Sequence, residues 1–308
     1  MVLAPEITQA AAGYEAYVTS VAAIKANFQS GADVAAALRA GESYDPQALL
    51  RGQMAFAAVA ALQDPAFVAE VRAFAANPAR RQEMIQALSA DDNYATAFRH
   101  APTAAGLAEG ALMQEAQALQ ISGAAVKQSA YDMQHQPWSL APVADRDGRL
   151  AAAKAVADDA PVATVDQTDR MSHAADGSAP LPFTGAPVAP APYPTVVARG
   201  LDIAALALLG AAGAERVSLN GPVFSDDRDK ACLSMARLNL YQCLSVARPN
   251  YEDAFCLGQH AMMDTAQCLE IADGMPAPTV APLAASTTET PYAKPAKPTK
   301  HRKAKAKS

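Results

Sequence analysis

Four cysteines, Cys232, Cys243, Cys256 and Cys268, fall within 37 residues of a chain that has no others. Thiols at such spacings can form disulfides, ligate a metal or pack as small apolar groups. The residue numbers favour disulfides. In an antiparallel helical hairpin, paired positions keep a nearly constant sum, and the pairs 232/268 and 243/256 sum to 500 and 499. Both rungs then fold about one turn at Pro249-Asn250, and loops of 36 and 13 residues would each constrain the unfolded chain by about 3–4 kcal/mol. At roughly 100° per residue, the step of eleven from Cys232 to Cys243 returns to one helix face. The step of twelve from Cys256 to Cys268 lands about 120° away. The second helix therefore needs local unwinding, or a rung at a frayed end, to turn both sulfurs inward.

Two rival readings of the same residues stay open. His260 follows Cys256 by four residues, and with Cys243 and Cys268 it could complete a zinc site. That site lacks a Cys-x2-Cys knuckle and leaves Cys232 unused. Alternatively, all four thiols stay reduced as buried apolar groups. A catalytic redox pair would call for Cys-x-x-Cys, which the sequence lacks. With spacers of ten and eleven over about 40 residues, the arrangement resembles in architecture the twin Cys-x9-Cys helical hairpins of the mitochondrial intermembrane space, and the likeness implies a stapled hairpin.

Other residues offer weaker chemistry. Lys294, Lys297, Lys300, Arg302, Lys303, Lys305 and Lys307 form a C-terminal run with no acid. Its Lys-Pro-Ala pattern resembles linker-histone tails and implies binding to an anionic surface. In a periplasm that surface would be cell-wall polymer, lipopolysaccharide or anionic lipid; in a cytosol it would be nucleic-acid phosphate. Tyr131, His135 and Trp138 gather at the end of an expected helix and define a candidate cleft. Asp145 and Asp147 precede a glycine as in an EF-hand, but Val143 and Lys154 fill the ligand positions one and twelve, so calcium is excluded and a polar turn before a helix is expected. Glu70, Glu109 and Glu115 lie on expected helices, any of them able to act as a general acid, and nothing in the sequence selects one. There is no nucleophile elbow, phosphate loop, dinucleotide fingerprint or His-Glu-x-x-His. No catalytic residue, cofactor or metal is expected.

The elements that must position these groups read as all-α. About half of the residues are apolar and only 6% aromatic, and the alanine-rich composition favours thin, closely packed helices. Residues 1–140 form an expected multi-helix domain, with helices over 6–28 and 32–40 followed by three starts at Asp45-Pro46, Asp64-Pro65 and Asn77-Pro78. There a cap oxygen precedes a proline that has no N–H to leave unpaired. A long helix over 102–135 carries Leu112, Ala116, Leu119, Gly123, Val126, Ala130 and Met133 at 4-3-4-3 spacing, a seam that a second helix can approach closely.

Residues 141–195 read as a Pro/Ala linker with a short helix at 149–157. An apolar helix and the cysteine hairpin fill 196–274, with Ser225 and Asn250 as the hairpin caps, and 275–308 read as a disordered tail. Leu201–Ala214 is too short to span a bilayer and contains Asp202. The opening MVLAPEITQAAAGYEAY lacks the basic and apolar regions of a signal peptide, so an oxidising compartment rests on the cysteines, with a leader upstream of Met1 as the way to reach it.

The charge is divided: without the seven tail cations, 18 basic face 31 acidic residues, a balance of −13. Taken together, the sequence leads to a non-enzymatic scaffold or tether of a bacterial-type cell envelope, with protein partners and an anion-seeking tail. The alternatives are a cytosolic nucleic-acid-associated protein and an enzyme acting on cell-wall glycan.

Overall fold

The proline starts act as local chemistry requires. In the computed structural model, which describes residues 3–182, 188–211 and 222–275, Asp45 accepts from Ala48 N–H, Asp64 from Ala66 and Phe67, and Asn77 from Ala79 and Arg80. They open α3 (Pro46–Ala61), α4 (Pro65–Ala75) and α5 (Pro78–Ala90). Before them run α1 (Pro5–Ala22) and α2 (Gly31–Glu42), so the first expected helix stops six residues short. Ser30 caps α2 by accepting from Asp33 N–H. After a 3₁₀ turn at Tyr94–Ala97 comes α6 (Ala101–Asp132), and every residue of its expected seam is buried.

The protein is all-helical, with no strand among the described residues. Its centre is α3. From Gly52 to Ala61 only Gln53 is polar, and a helix apolar on every side must be covered on every side. Its Leu49, Leu50 and Met54–Ala61 are wholly inaccessible to solvent. α1 and α6 supply part of the cover, and α10 (Thr195–Leu208) supplies another part. A Cβ added at Gly200 of α10 would sit 2.6 Å from the Cβ of Ala57, so the missing side chain sets how near the two helices lie. Gln53 donates to the Leu269 carbonyl at 3.1 Å and to Asp273 at 2.9 Å, and its amide N–H groups thereby reach residues more than two hundred positions along the chain.

This cover overturns the expected division of residues 1–274 into domain, linker and separate hairpin. The described residues belong to one compact unit running from Met1 to Pro276, because the core helix draws its neighbours from both halves of the sequence. The expected linker also holds more structure than one short helix. α7 (Pro137–Leu140) leads into it, then α8 (Arg146–Ala155) begins at the polar turn, where Asp145 accepts from Gly148 N–H. α9 (Val165–Asp176) starts on a capping box of Thr164 and Gln167 and ends at Gly177 with φ of 82°, the left-handed geometry that suits glycine. Backbone bonds tie the rest down: Val143 N–H to Arg248 at 2.8 Å, Asn250 N–H to Ala141 at 3.1 Å and Ala189 N–H to Pro102 at 2.9 Å. Residues 183–187 of the Pro/Ala stretch lie outside the described residues.

The cysteine region comprises a 3₁₀ turn at Pro222–Phe224, α11 (Asp227–Val246), α12 (Asn250–Cys256), a π-helical segment at Leu257–Asp264 and α13 (Thr265–Ala272). This last run packs along α6. At the crossing, a Cβ on Gly258 would fall 2.4 Å from the Lys127 backbone nitrogen and one on Gly123 would fall 2.8 Å from the Met262 Cβ. The glycine of the α6 seam thus meets a second glycine on the helix that covers it.

Candidate functional site

All four cysteines are paired. Disulfides join Cys232 to Cys268 and Cys243 to Cys256, with Cα atoms 5.6 and 5.7 Å apart. The pairing implies that α11 and the run 250–272 travel in opposite directions. The twelve-residue step is reconciled by the π segment, which lies wholly between Cys256 and Cys268. Bonds from i to i+5 widen the turn to about 4.4 residues, removing roughly 18° per residue. Over eight residues that is roughly 140°, which cancels the 120° excess to within about 25°.

The caps differ from expectation. Asp226, not Ser225, accepts from Arg228 and Asp229 N–H at the start of α11. Asn250 lies inside α12 and donates its side-chain amide to the carbonyls of Trp138 and Ala141. With the sulfurs oxidised, the zinc reading fails for want of thiolates. His260 instead sits with Nδ1 2.7 Å from Asp264 Oδ2.

Between the two rungs, Arg237 turns inward to a carboxyl group that sequence reasoning did not single out. Glu42 is fully buried, and Arg237 Nε lies 3.8 Å from its Oε2. The guanidinium also donates to the Tyr44 carbonyl, stacks over the Tyr44 ring at 4.9 Å, and lies 3.8 Å from exposed Asp158. Burial pushes the Glu42 carboxyl up to about 7, against the pull of Arg237 and of the neighbouring Tyr241 hydroxyl. That hydroxyl faces the carboxylate without closing a hydrogen bond of ordinary geometry. The surrounding hydroxyls are occupied, with Tyr44 3.3 Å from Thr265 Oγ1 and Tyr17 donating to the Gly41 carbonyl at 2.8 Å. A signal existed in the sequence: Glu42 continues the stripe Val34, Ala37, Leu38, Gly41 at helical spacing, so it falls on the apolar face of α2.

The three glutamates named as acid candidates separate by surroundings. Glu70 accepts from Arg99 and His100 N–H, both at 2.9 Å, and so satisfies donors just ahead of α6. Partial burial raises Glu109. Glu115 is raised to about 7, first by burial and then by the charge of Glu15, with Arg170 pulling the other way. Glu15 is itself buried and ion-paired with Arg170. A second ion pair, Arg149 with Asp253, is buried on both sides and fastens α8 to α12.

The three residues of the candidate cleft each have contacts or exposure of their own. Tyr131 packs edge-on against Phe255 at 6.0 Å, Trp138 donates its ring N–H to Gln136, and His135 is exposed. A groove of 330 Å³ lies elsewhere, between Glu6, Ala10 and Tyr14 of α1, Arg51 of α3 and the Pro161–Val162 segment. Lys294, Lys297, Lys300, Arg302, Lys303, Lys305 and Lys307 lie outside the described residues. Among the described residues, no single helix is long and apolar enough to cross a membrane. No protein family matches the chain, and neither the curated proteins nor the solved structures include a match to it.

Proposed function

We propose that this chain is a non-enzymatic helical scaffold of an oxidising compartment, of the bacterial cell-envelope type. In this reading a disulfide-stapled hairpin completes the core and the C-terminal cations hold the molecule to an anionic surface. The observation that carries the reading is the pairing of every cysteine into two disulfides. Reducing compartments keep such thiols free, whereas secreted and periplasmic proteins retain the bonds. Further support comes from the work assigned to the polar side chains. Glu70 satisfies a helix start, Gln53 spans the core, and Arg149 and Asp253 join two helices. Each of these holds one element to another, as a scaffold requires.

The tail is the attachment arm of this proposal. Its cations would meet cell-wall polymer, lipopolysaccharide or anionic lipid by charge alone, with an affinity that falls steeply with salt. The test is trapping of free thiols in intact cells with an alkylating reagent, followed by mass-spectrometric mapping. The expected result is the two linked pairs 232–268 and 243–256 in a periplasmic fraction. Four alkylated thiols in a cytosolic fraction would overturn the reading and favour nucleic-acid phosphate as the surface met by the tail.

A further inference from the structure

The outward face of α11 repeats the spacing of the α6 seam, and among the described residues no helix lies over it; α8 borders its C-terminal end, where Arg146 donates to the Ser245 carbonyl at 2.7 Å. Ala231, Met235, Leu238, Gln242 and Ser245 recur at 4-3-4-3 spacing, and Val246 adjoins the end of the row. All six are exposed, with Met235, Leu238 and Val246 accessible to 55%, 46% and 72%. From Ala231 to Ala247 the only charged residue is Arg237, and that side chain is directed inward to Glu42. A helical face of about four turns thus presents no charge of its own to solvent, on a unit otherwise rich in acids. Such a face, free of charge and bearing large apolar groups, marks an interaction surface.

We infer that α11 pairs with α11 of a second copy of this chain, antiparallel, about a two-fold axis passing beside Leu238. The residues are self-complementary about that axis. Leu238 meets its own equivalent, Met235 meets Gln242, and Ala231 meets Ser245 and Val246, so small groups oppose the ends where the row is widest. A two-fold interface requires this reciprocity. Charge supplies the second argument. Asp227 is exposed in the first turn, Arg248 is exposed just beyond the last, and neither has an ion-pair partner among the described residues. An antiparallel partner brings Asp227 of each copy opposite Arg248 of the other, and it also opposes the two helix dipoles. A parallel partner would set like ends together. From Ala231 to Val246 the seam is about 22 Å long, which places the dimer at the small end of specific interfaces, with dissociation in the micromolar range.

The test uses the full oxidised chain in sedimentation velocity over a concentration series. A reversible dimer is expected, and Leu238→Glu should raise its dissociation constant at least about tenfold by setting two carboxylates on the axis. Because Leu238 is exposed, circular dichroism and free-thiol counts should match the parent. A charge exchange provides the second variant: Asp227→Arg and Arg248→Asp should each weaken the dimer, and the two together should restore it. A monomer throughout the series would overturn the inference and leave the face to an unlike partner. A dimer indifferent to Leu238→Glu, or charge variants without mutual rescue, would overturn it too.

Discussion

Two helices of this molecule are secured in opposite ways. α3 is enclosed by neighbours, and from Ala55 to Ala61 no residue retains any accessible surface. α11 has one face in the unit and one in solvent, and two covalent rungs hold it. Alanine explains the contrast. It buries little area per residue, so an alanine-rich element gains stability only where backbones come very close and cover is complete. Where the fold provides cover, glycine contacts such as Gly200 against Ala57 are sufficient. Where it does not, the disulfides substitute for missing area by restricting the unfolded chain.

The largest expected effect comes from cutting the rungs. Replacing Cys232 and Cys268 by alanine should cost about 4 kcal/mol and replacing Cys243 and Cys256 about 3 kcal/mol on the loop-entropy model. Denaturant titration checks the totals. Amide exchange tests the contrast directly: protection should fall over 227–246 and persist over 46–61, and equal losses in both would break the distinction. Next comes Gly200→Leu, which forces α10 from α3 and should cost about 3 kcal/mol by overpacking, with its exchange signature centred on 46–61 instead.

A third effect depends on pH. The folded Glu42 carboxyl is raised by burial to about 7 from an ordinary value of 4.5. Its contribution to stability is fully present below pH 4.5 and is lost as pH rises through 7. Titrations at pH 5 and pH 8 should therefore differ by on the order of 3 kcal/mol in the same sense as raised Glu115 and Asp229. Glu42→Gln should remove its share of that slope and leave the share of Glu115 and Asp229, sharpening the view that Arg237 anchors α11 from inside between its rungs. Smallest of all, Asn77→Ala removes the α5 cap and should lower stability by about 1 kcal/mol, as read by thermal unfolding.

Legibility in the sequence followed the distance over which each feature is determined. Asp45, Asp64 and Asn77 cap helices two or three residues away, and each was readable from adjacent letters. The α6 seam was readable too, since periodicity carries it, and so was the cysteine pairing, since the residue-number sums of 500 and 499 single it out. The single unit was not readable. It depends on bonds such as Gln53 to Leu269 and on α10 reaching α3, contacts between residues more than a hundred positions apart. α9 was missed although Thr164 and Gln167 spell a capping box, because the Pro/Ala composition around it outweighed a four-residue signal. Asn250 was misplaced because its amide found the carbonyls of Trp138 and Ala141, partners no local rule supplies. Glu42 sat on a visible apolar stripe, but its partner Arg237 lies on another helix.

The π segment at 257–264 has a consequence for how this arm is to be counted. It acts as a phase slip in an otherwise regular wave: the buried side chains before it, Asp253 and Cys256, and those after it, Ala266, Leu269 and Ala272, follow two helical rhythms offset by about one residue. Any hydrophobic period fitted across 250–272 averages the two and blurs both. An alignment of this arm with an unbroken α-helix must open a one-residue gap within 257–264. A sequence that shares the architecture without the slip would carry spacers of ten residues on both arms, and would pass unrecognised by a search that holds the twelve-residue step fixed.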